Sequence, residues 1–185
     1  MGGNDNATQP CRKGGWNRQA RDAKQRHSRK QITDIRPSRR TMDEKTKLPF
    51  DPATAGWEPY TDDGFIGLVG PFWSRQQGDT HVYGFMAEHK HHNRRGVVQG
   101  GMLMTFADRS MGMTCWYANE RKPQATVHLD VHFVDAVQIG EFVEMHCKVV
   151  RRTRSLIFMS GELSVGTRVV ATANGVWKTL GQKPA

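Results

Sequence analysis

The run H-N-R-R-G-V-V-Q-G-G-M-L-M-T-F-A-D, residues 92–108, sets a double glycine directly ahead of a long apolar stretch holding one carboxylate. A glycine pair in that place reads as a loop feeding into a helix, with the backbone free to come close to a ligand. The first N–H groups of the helix have no intrahelical acceptor and form a site for negative charge, a developing oxyanion included. Residues 101–118 are apolar on nearly all sides, so the helix is predicted to be surrounded by protein. Asp108 stands out in it. On the helix it shares a face with Met104, Thr105, Met111, Gly112 and Cys115, while Arg109 is turned about 100° away and is not placed to neutralise it. An acid among apolar neighbours is a candidate general base or nucleophile. The alternative is one wet helix stripe holding Asp108 and Arg109 behind an ordinary turn.

Upstream, residues 42–64 carry Pro49, Pro52, Gly56, Pro59 and Gly64 and read as a loop-rich lead-in with a helical turn near residues 52–57. Residues 65–73 and 81–87 are β-rich and form a hairpin through residues 74–79. Downstream the period changes to two. Val127, Leu129, Val131 and Phe133 face one way, and Thr126, His128, Asp130 and His132 the other. Residues 142–150, 156–165 and 168–178 repeat the strand pattern, and short turns at residues 137–141, 151–154 and 166–167 predict antiparallel neighbours. One apolar helix and one sheet that must cover it give an α+β fold, an antiparallel sheet curled around a central helix.

The net charge of +9 suggests nucleic acid until it is divided along the chain. Residues 1–41 hold 11 Lys/Arg against 3 Asp/Glu, net +8, and residues 42–185 hold 16 against 15, net +1. The first 41 residues have almost no large apolar side chains and are expected to be a disordered basic tail. Three readings of it stand: an arm for nucleic acid or anionic surfaces, a transit peptide, or sequence upstream of a natural start at Met42. No apolar run follows the basic residues, which disfavours a secretory signal, and residues 101–118 are too short and too polar for a membrane span. Cys11, Cys115 and Cys147 are odd in number and widely spaced, as in a protein of the reducing cytoplasm. His89, His91 and His92, spaced as they are in a polar loop, read as solvated, so no metal is predicted.

The chain resembles the hotdog-fold acyl-CoA thioesterases of the phenylacetate-pathway and 4-hydroxybenzoyl-CoA type over roughly residues 60–180. Their pattern is close to H-N-x-x-G-x-x-H-G-G with an acid nine residues after the second His; here it is His92, Asn93, Gly96, Gln99, Gly100, Gly101 and then Asp108. The departure is Gln99, where the family usually has His. The final strand, R-V-V-A-T-A-N-G-V-W, matches as well. The resemblance implies hydrolysis of an acyl-CoA to a free acid and CoA. In it the Gly100 N–H polarises the thioester carbonyl, Asp108 is base or nucleophile, and Asn93 places carbonyl or water opposite the Asp108 of another subunit. Thr126 falls where the family has a water-orienting Ser or Thr, though β propensity alone also accounts for it. A thiolate leaves readily, so a carboxylate with backbone donors suffices, and the absence of a G-x-S-x-G elbow disfavours an α/β-hydrolase.

For a CoA substrate the candidate phosphate contacts are Arg94 and Arg95, with Gly101 allowing close approach, and Arg151, Arg152 and Arg154; each arginine cluster also reads as ordinary solvated turn charge. Phe72, Trp73 and Trp116 are candidates for an acyl pocket or for plain core. No cofactor is expected beyond the CoA of the substrate. The family implies a homodimer or homotetramer with sites at the subunit interface, and a small sheet around one helix leaves an edge to cover. Two other readings keep the fold: a non-catalytic acyl-CoA sensor whose basic tail binds nucleic acid, and an acyl thioester dehydratase or hydratase.

Overall fold

The computed structural model describes residues 50–181. The expectations for residues 1–41 and for a start at Met42 lie outside them. The order of elements is β1 (Glu58–Tyr60), α1 (Phe65–Val69), β2 (Phe72–Gln77), β3 (Thr80–Met86), α2 (Gly100–Ala118), β4 (Gln124–Phe133), β5 (Phe142–Arg152), β6 (Leu156–Val165) and β7 (Arg168–Thr179). The strands form one antiparallel sheet of seven in the order β1-β2-β3-β5-β6-β7-β4. Helix α2 packs against β3, β4, β5, β6 and β7, so the sheet wraps the helix as the α+β reading requires.

The core is this contact. Phe106, Ala107, Met111 and Cys115 of α2 are fully buried against Phe72, Phe85, Val143, Met145, Leu163 and Trp177 of the sheet. Burial of each large apolar side chain contributes about 1.5–3 kcal/mol. The helix is not surrounded, however. Gly101 and Met104 are exposed and Thr105, Asp108 and Gly112 only partly buried, an i, i+3, i+4, i+7, i+11 stripe that the single sheet leaves incompletely covered.

Three other expectations change. Residues 65–69, read as strand, are helix α1: Ile66 and Val69 pack on the core while Phe65 and Leu68 stay in solvent, a helical spacing between Gly64 and Gly70. The lead-in contains strand β1, which pairs with β2. The short stretch before β5 is no hairpin, because β4 pairs with β7 at the far edge and residues 134–141 cross back to β5.

The outer face of the sheet carries a second cluster, Trp57, Val82 and Phe142, with Arg75 stacked 4.4 Å from the Trp57 ring. Gly84 makes room for it, since a Cβ there would lie 2.3 Å from Phe142 Cζ. Gly84→Ala is therefore expected to lower stability by about 1–3 kcal/mol. Urea unfolding of the single variants and of Gly84→Ala/Phe142→Ala tests it: the cost of the alanine should largely vanish once the ring is gone.

Candidate active site

Helix α2 starts at Gly100 because Gln99 caps it: the Gln99 side-chain Oε1 accepts a hydrogen bond from the Met102 N–H at 3.1 Å. The two glycines have separate reasons. A Cβ at Gly101 would sit 2.6 Å from that Oε1, and one at Gly100 would sit 3.1 Å from the Phe133 ring. The cap takes the third N–H of the helix, and the Gly100 and Gly101 N–H groups have no acceptor among the described residues.

The preceding loop is tied at several points. Gln99 N–H donates to His91 O at 2.8 Å, Val98 N–H to Val137 O at 2.9 Å, and Val97 bridges Gln138. The crossover supplying Val137 and Gln138 is itself held by Arg168, which donates to Asp135 at 2.8 Å and to both Glu141 oxygens at 2.7–2.8 Å. The hydrogen bond from Arg168, with one from the Ala136 N–H, holds the Asp135 carboxyl below its usual range. Asn93 closes a turn with its Oδ1, which accepts from the Arg95 N–H at 2.7 Å, and its amide NH₂ is left without a partner among the described residues.

Of the three loop histidines, His91 is buried rather than solvated. Its Nδ1 accepts from the Glu88 N–H at 3.0 Å and its Nε2 donates to Val69 O at 2.8 Å, so both nitrogens are used within the fold. The described residues contain no group of three or more His, Cys, Asp or Glu placed to hold a metal.

Asp108 lies on the wall of a cavity of about 610 Å³ shared with Asp62, Arg109, Gly112, Met113, Trp116, Gln124, Ala125, Thr126 and Trp177. Thr126 Oγ1 donates to Asp108 Oδ1 at 2.8 Å. That contact corrects the face assigned to Thr126. A β-bulge places Val127 outside the β4–β7 register, leaving it 59% exposed. Before the bulge Gln124 and Thr126 reach the helix; after it Leu129, Val131 and Phe133 do. Gln124 Nε2 donates to Gly112 O at 2.6 Å and its Oε1 accepts from Cys115 Sγ at 2.9 Å, which pins the start of β4 to the helix.

The chain does not bring all its candidate residues together. Gly100 faces a different concavity, of about 450 Å³, formed with Val98, Leu103, Phe133, Val134, Asp135, Ala136 and Val137. At 1.5 Å per residue Gly100 and Asp108 stand about 12 Å apart along the helix axis. Arg94 and Arg95 are exposed near the helix N-terminus, while Arg151, Arg152 and Arg154 lie at the turn where β5 meets β6. Arg152 is already engaged, donating to Ala118 O at 2.8 Å and pairing with Glu120 at 3.1 Å at the helix C-terminus. Of the proposed pocket aromatics only Trp116 lines the cavity; Phe72 is core, and Trp73 packs with the outer cluster. Sequence reading missed Asp62, Met113, Gln124 and Trp177, though Trp177 sits in the quoted final strand motif and its size was a signal.

Comparison with known proteins gives the family. The family model described as thioesterase superfamily matches residues 95–172. PA0474 of Pseudomonas aeruginosa, named as a presumed esterase, is 32% identical over 125 residues, covering 66% of this chain and 93% of its own. The chain belongs to the thioesterase superfamily. It is thus a member of a family of thioester hydrolases. Two solved structures share the hotdog fold. A single-substitution mutant of the phenylacetic acid degradation protein PaaI of Thermus thermophilus has a TM-score of 0.56 at 20% identity, covering 63% of this chain and 98% of that one. The BH2602 protein of Bacillus halodurans, solved with CoA, has a TM-score of 0.52 at 21% identity, covering 60% of this chain and 74% of that one. No helix among the described residues is long and apolar enough to cross a membrane.

His91 gives this thioesterase a pH dependence. Burial lowers its imidazole below the ordinary 6.5, the bond to Val69 opposing only in part. As pH falls, the unfolded chain takes up this proton before the folded one does, so stability is lost below about pH 6.5 and the loss levels off beneath the folded value. Thermal midpoints across that range should show the decline in the wild type and a flatter profile, at lower overall stability, in His91→Gln.

Proposed function

We propose that the protein hydrolyses acyl-CoA thioesters at a composite site, with Asp108 and Thr126 from one copy and Asn93 and Gly100 from a second. The observation that carries this reading is the Thr126–Asp108 hydrogen bond on the cavity wall, with the unoccupied N–H groups of the helix start two turns away. The stripe on α2 left uncovered and the outer edge of β4 left unpaired among the described residues support a second copy as the cover that brings the halves together.

In this reading Thr126 fixes the Asp108 carboxylate and offers its own oxygen lone pairs to a water. Asp108 takes the water proton as oxygen attacks the thioester carbon, and the Gly100 N–H, with the Asn93 amide NH₂, receives the charge on the carbonyl oxygen. Collapse expels the CoA thiolate, which recovers the proton from Asp108. Arg94, Arg95, Arg151 and Arg154 are exposed and make no ion pair among the described residues, leaving them available to CoA phosphates. The CoA bound to the Bacillus halodurans relative supports that substrate class. The two described cysteines are free, which suits a reducing cytoplasm.

Release of free thiol from a panel of acyl-CoAs tests the proposal. Asp108→Asn should lower kcat/KM by about 10²–10⁴ with the fold retained. Mixing Asp108→Asn with Asn93→Ala after co-refolding should restore about a quarter of the sites, as random pairing of two copies dictates. A mixture as inactive as its parents would reject the composite site.

A further inference from the structure

Beyond the machinery of hydrolysis, the wall beside Asp108 holds an ion pair that the reaction does not use. Arg109 Nη2 meets Asp62 Oδ2 at 2.5 Å, and both residues line the cavity. Among the described lining residues Arg109 is the only cation, against the two carboxylates of Asp62 and Asp108. The guanidinium lies 5.8 Å from the Tyr60 ring, and its Nε is buried without a partner among the described residues. Arg109 is therefore held from below by β1 and α2, and one carboxylate of its own chain occupies it from the side. Asp62 comes from residues 61–64, the connection between β1 and α1, and its side chain is 45% exposed.

We infer that the cavity beside Asp108 receives the acyl chain and that Asp62 is a specificity-determining residue there: its carboxylate occupies Arg109 and so closes the cavity to acyl groups ending in a carboxylate. This rests on the acyl-CoA hydrolysis proposed above. With Arg109 paired, the lining keeps a net charge of one negative, carried by Asp108, and an anionic acyl terminus meets net repulsion and a guanidinium whose charge Asp62 already neutralises. With Asp62 neutral, the lining carries one cation and one anion, and a planar guanidinium with donors to spare faces the cavity, a ready partner for the far carboxylate of a dicarboxylic half-thioester. A neutral acyl chain gains nothing from the change. The effect is thus a change of preference and not a general loss or gain.

The experiment compares straight-chain acyl-CoAs of equal length with a methyl or a carboxylate terminus, on wild type, Asp62→Asn and Asp62→Asn/Arg109→Met. The wild type should favour the methyl-terminated substrate. Asp62→Asn should raise the ratio of kcat/KM for carboxylate over methyl about tenfold or more, mostly through KM, and the double variant should lose that gain. An unchanged ratio in Asp62→Asn, or a gain that survives loss of Arg109, overturns the inference. Binding of the free dicarboxylic acid to the same three proteins, followed by calorimetry, reads the same pairing without turnover. If no protein hydrolyses either substrate, the proposed function fails, while tighter dicarboxylate binding by Asp62→Asn alone still upholds the pairing and its absence rejects it.

Discussion

Helix α2 is buried along one side only, and the rest of the molecule follows from that. Five strands converge on the fully buried row of Phe106, Ala107, Met111 and Cys115, which fixes the helix in rotation as well as position. Once that row is inward, Gly101, Met104, Thr105, Asp108 and Gly112 must lie toward the uncovered side. A carboxylate there escapes the cost of full burial while still having the sheet edge within reach. Trp177 of β7 reinforces the arrangement by coming up beside the helix at Gly112, within ordinary contact of where a Cβ would stand.

The sheet edge then has to deliver a partner to Asp108, and the bulge at Val127 does so. In an unbroken strand Thr126 would share a face with His128, Asp130 and His132 and look away from the helix. One extra residue shifts the parity, so that a hydroxyl meets Asp108 at the start of β4 while Leu129 and Val131 still serve the core farther along. The cost is an exposed Val127 at an edge strand. A second copy covering that edge would remove it from water.

Much of this is legible in the chain because it is local. The Gly-Gly entry to α2, the spacing to Asp108 and the four long strands rest on short-range periodicity, and the structure contains each of them. What escaped depends on contacts distant in sequence. The apolar letters around Val127 disguise a bulge as regular alternation. The β-rich composition of residues 65–69 hides a helix that forms because Ile66 and Val69 have a core to meet. The arginines of residues 151–154 look equivalent until the C-terminus of α2 arrives beside Arg152 and claims it. The Asp62–Arg109 pair joins two elements that no motif connects.

The departure at Gln99 takes on a different meaning in this setting. A glutamine is a long side chain for a helix cap and must fold back to reach Met102, which it does over a residue with no Cβ. Gln99 and Gly101 therefore act as a unit. The amide satisfies one of the orphan donors at the helix start and leaves those of Gly100 and Gly101 open. Being neutral at every physiological pH, it also adds no titrating charge beside a site proposed to stabilise an oxyanion, whereas an imidazole at this position would change charge near neutrality. The part of the family pattern this chain lacks is thus taken by a group that caps the helix start, and the acid sensitivity of the loop falls instead to His91, on whose carbonyl Gln99 hangs.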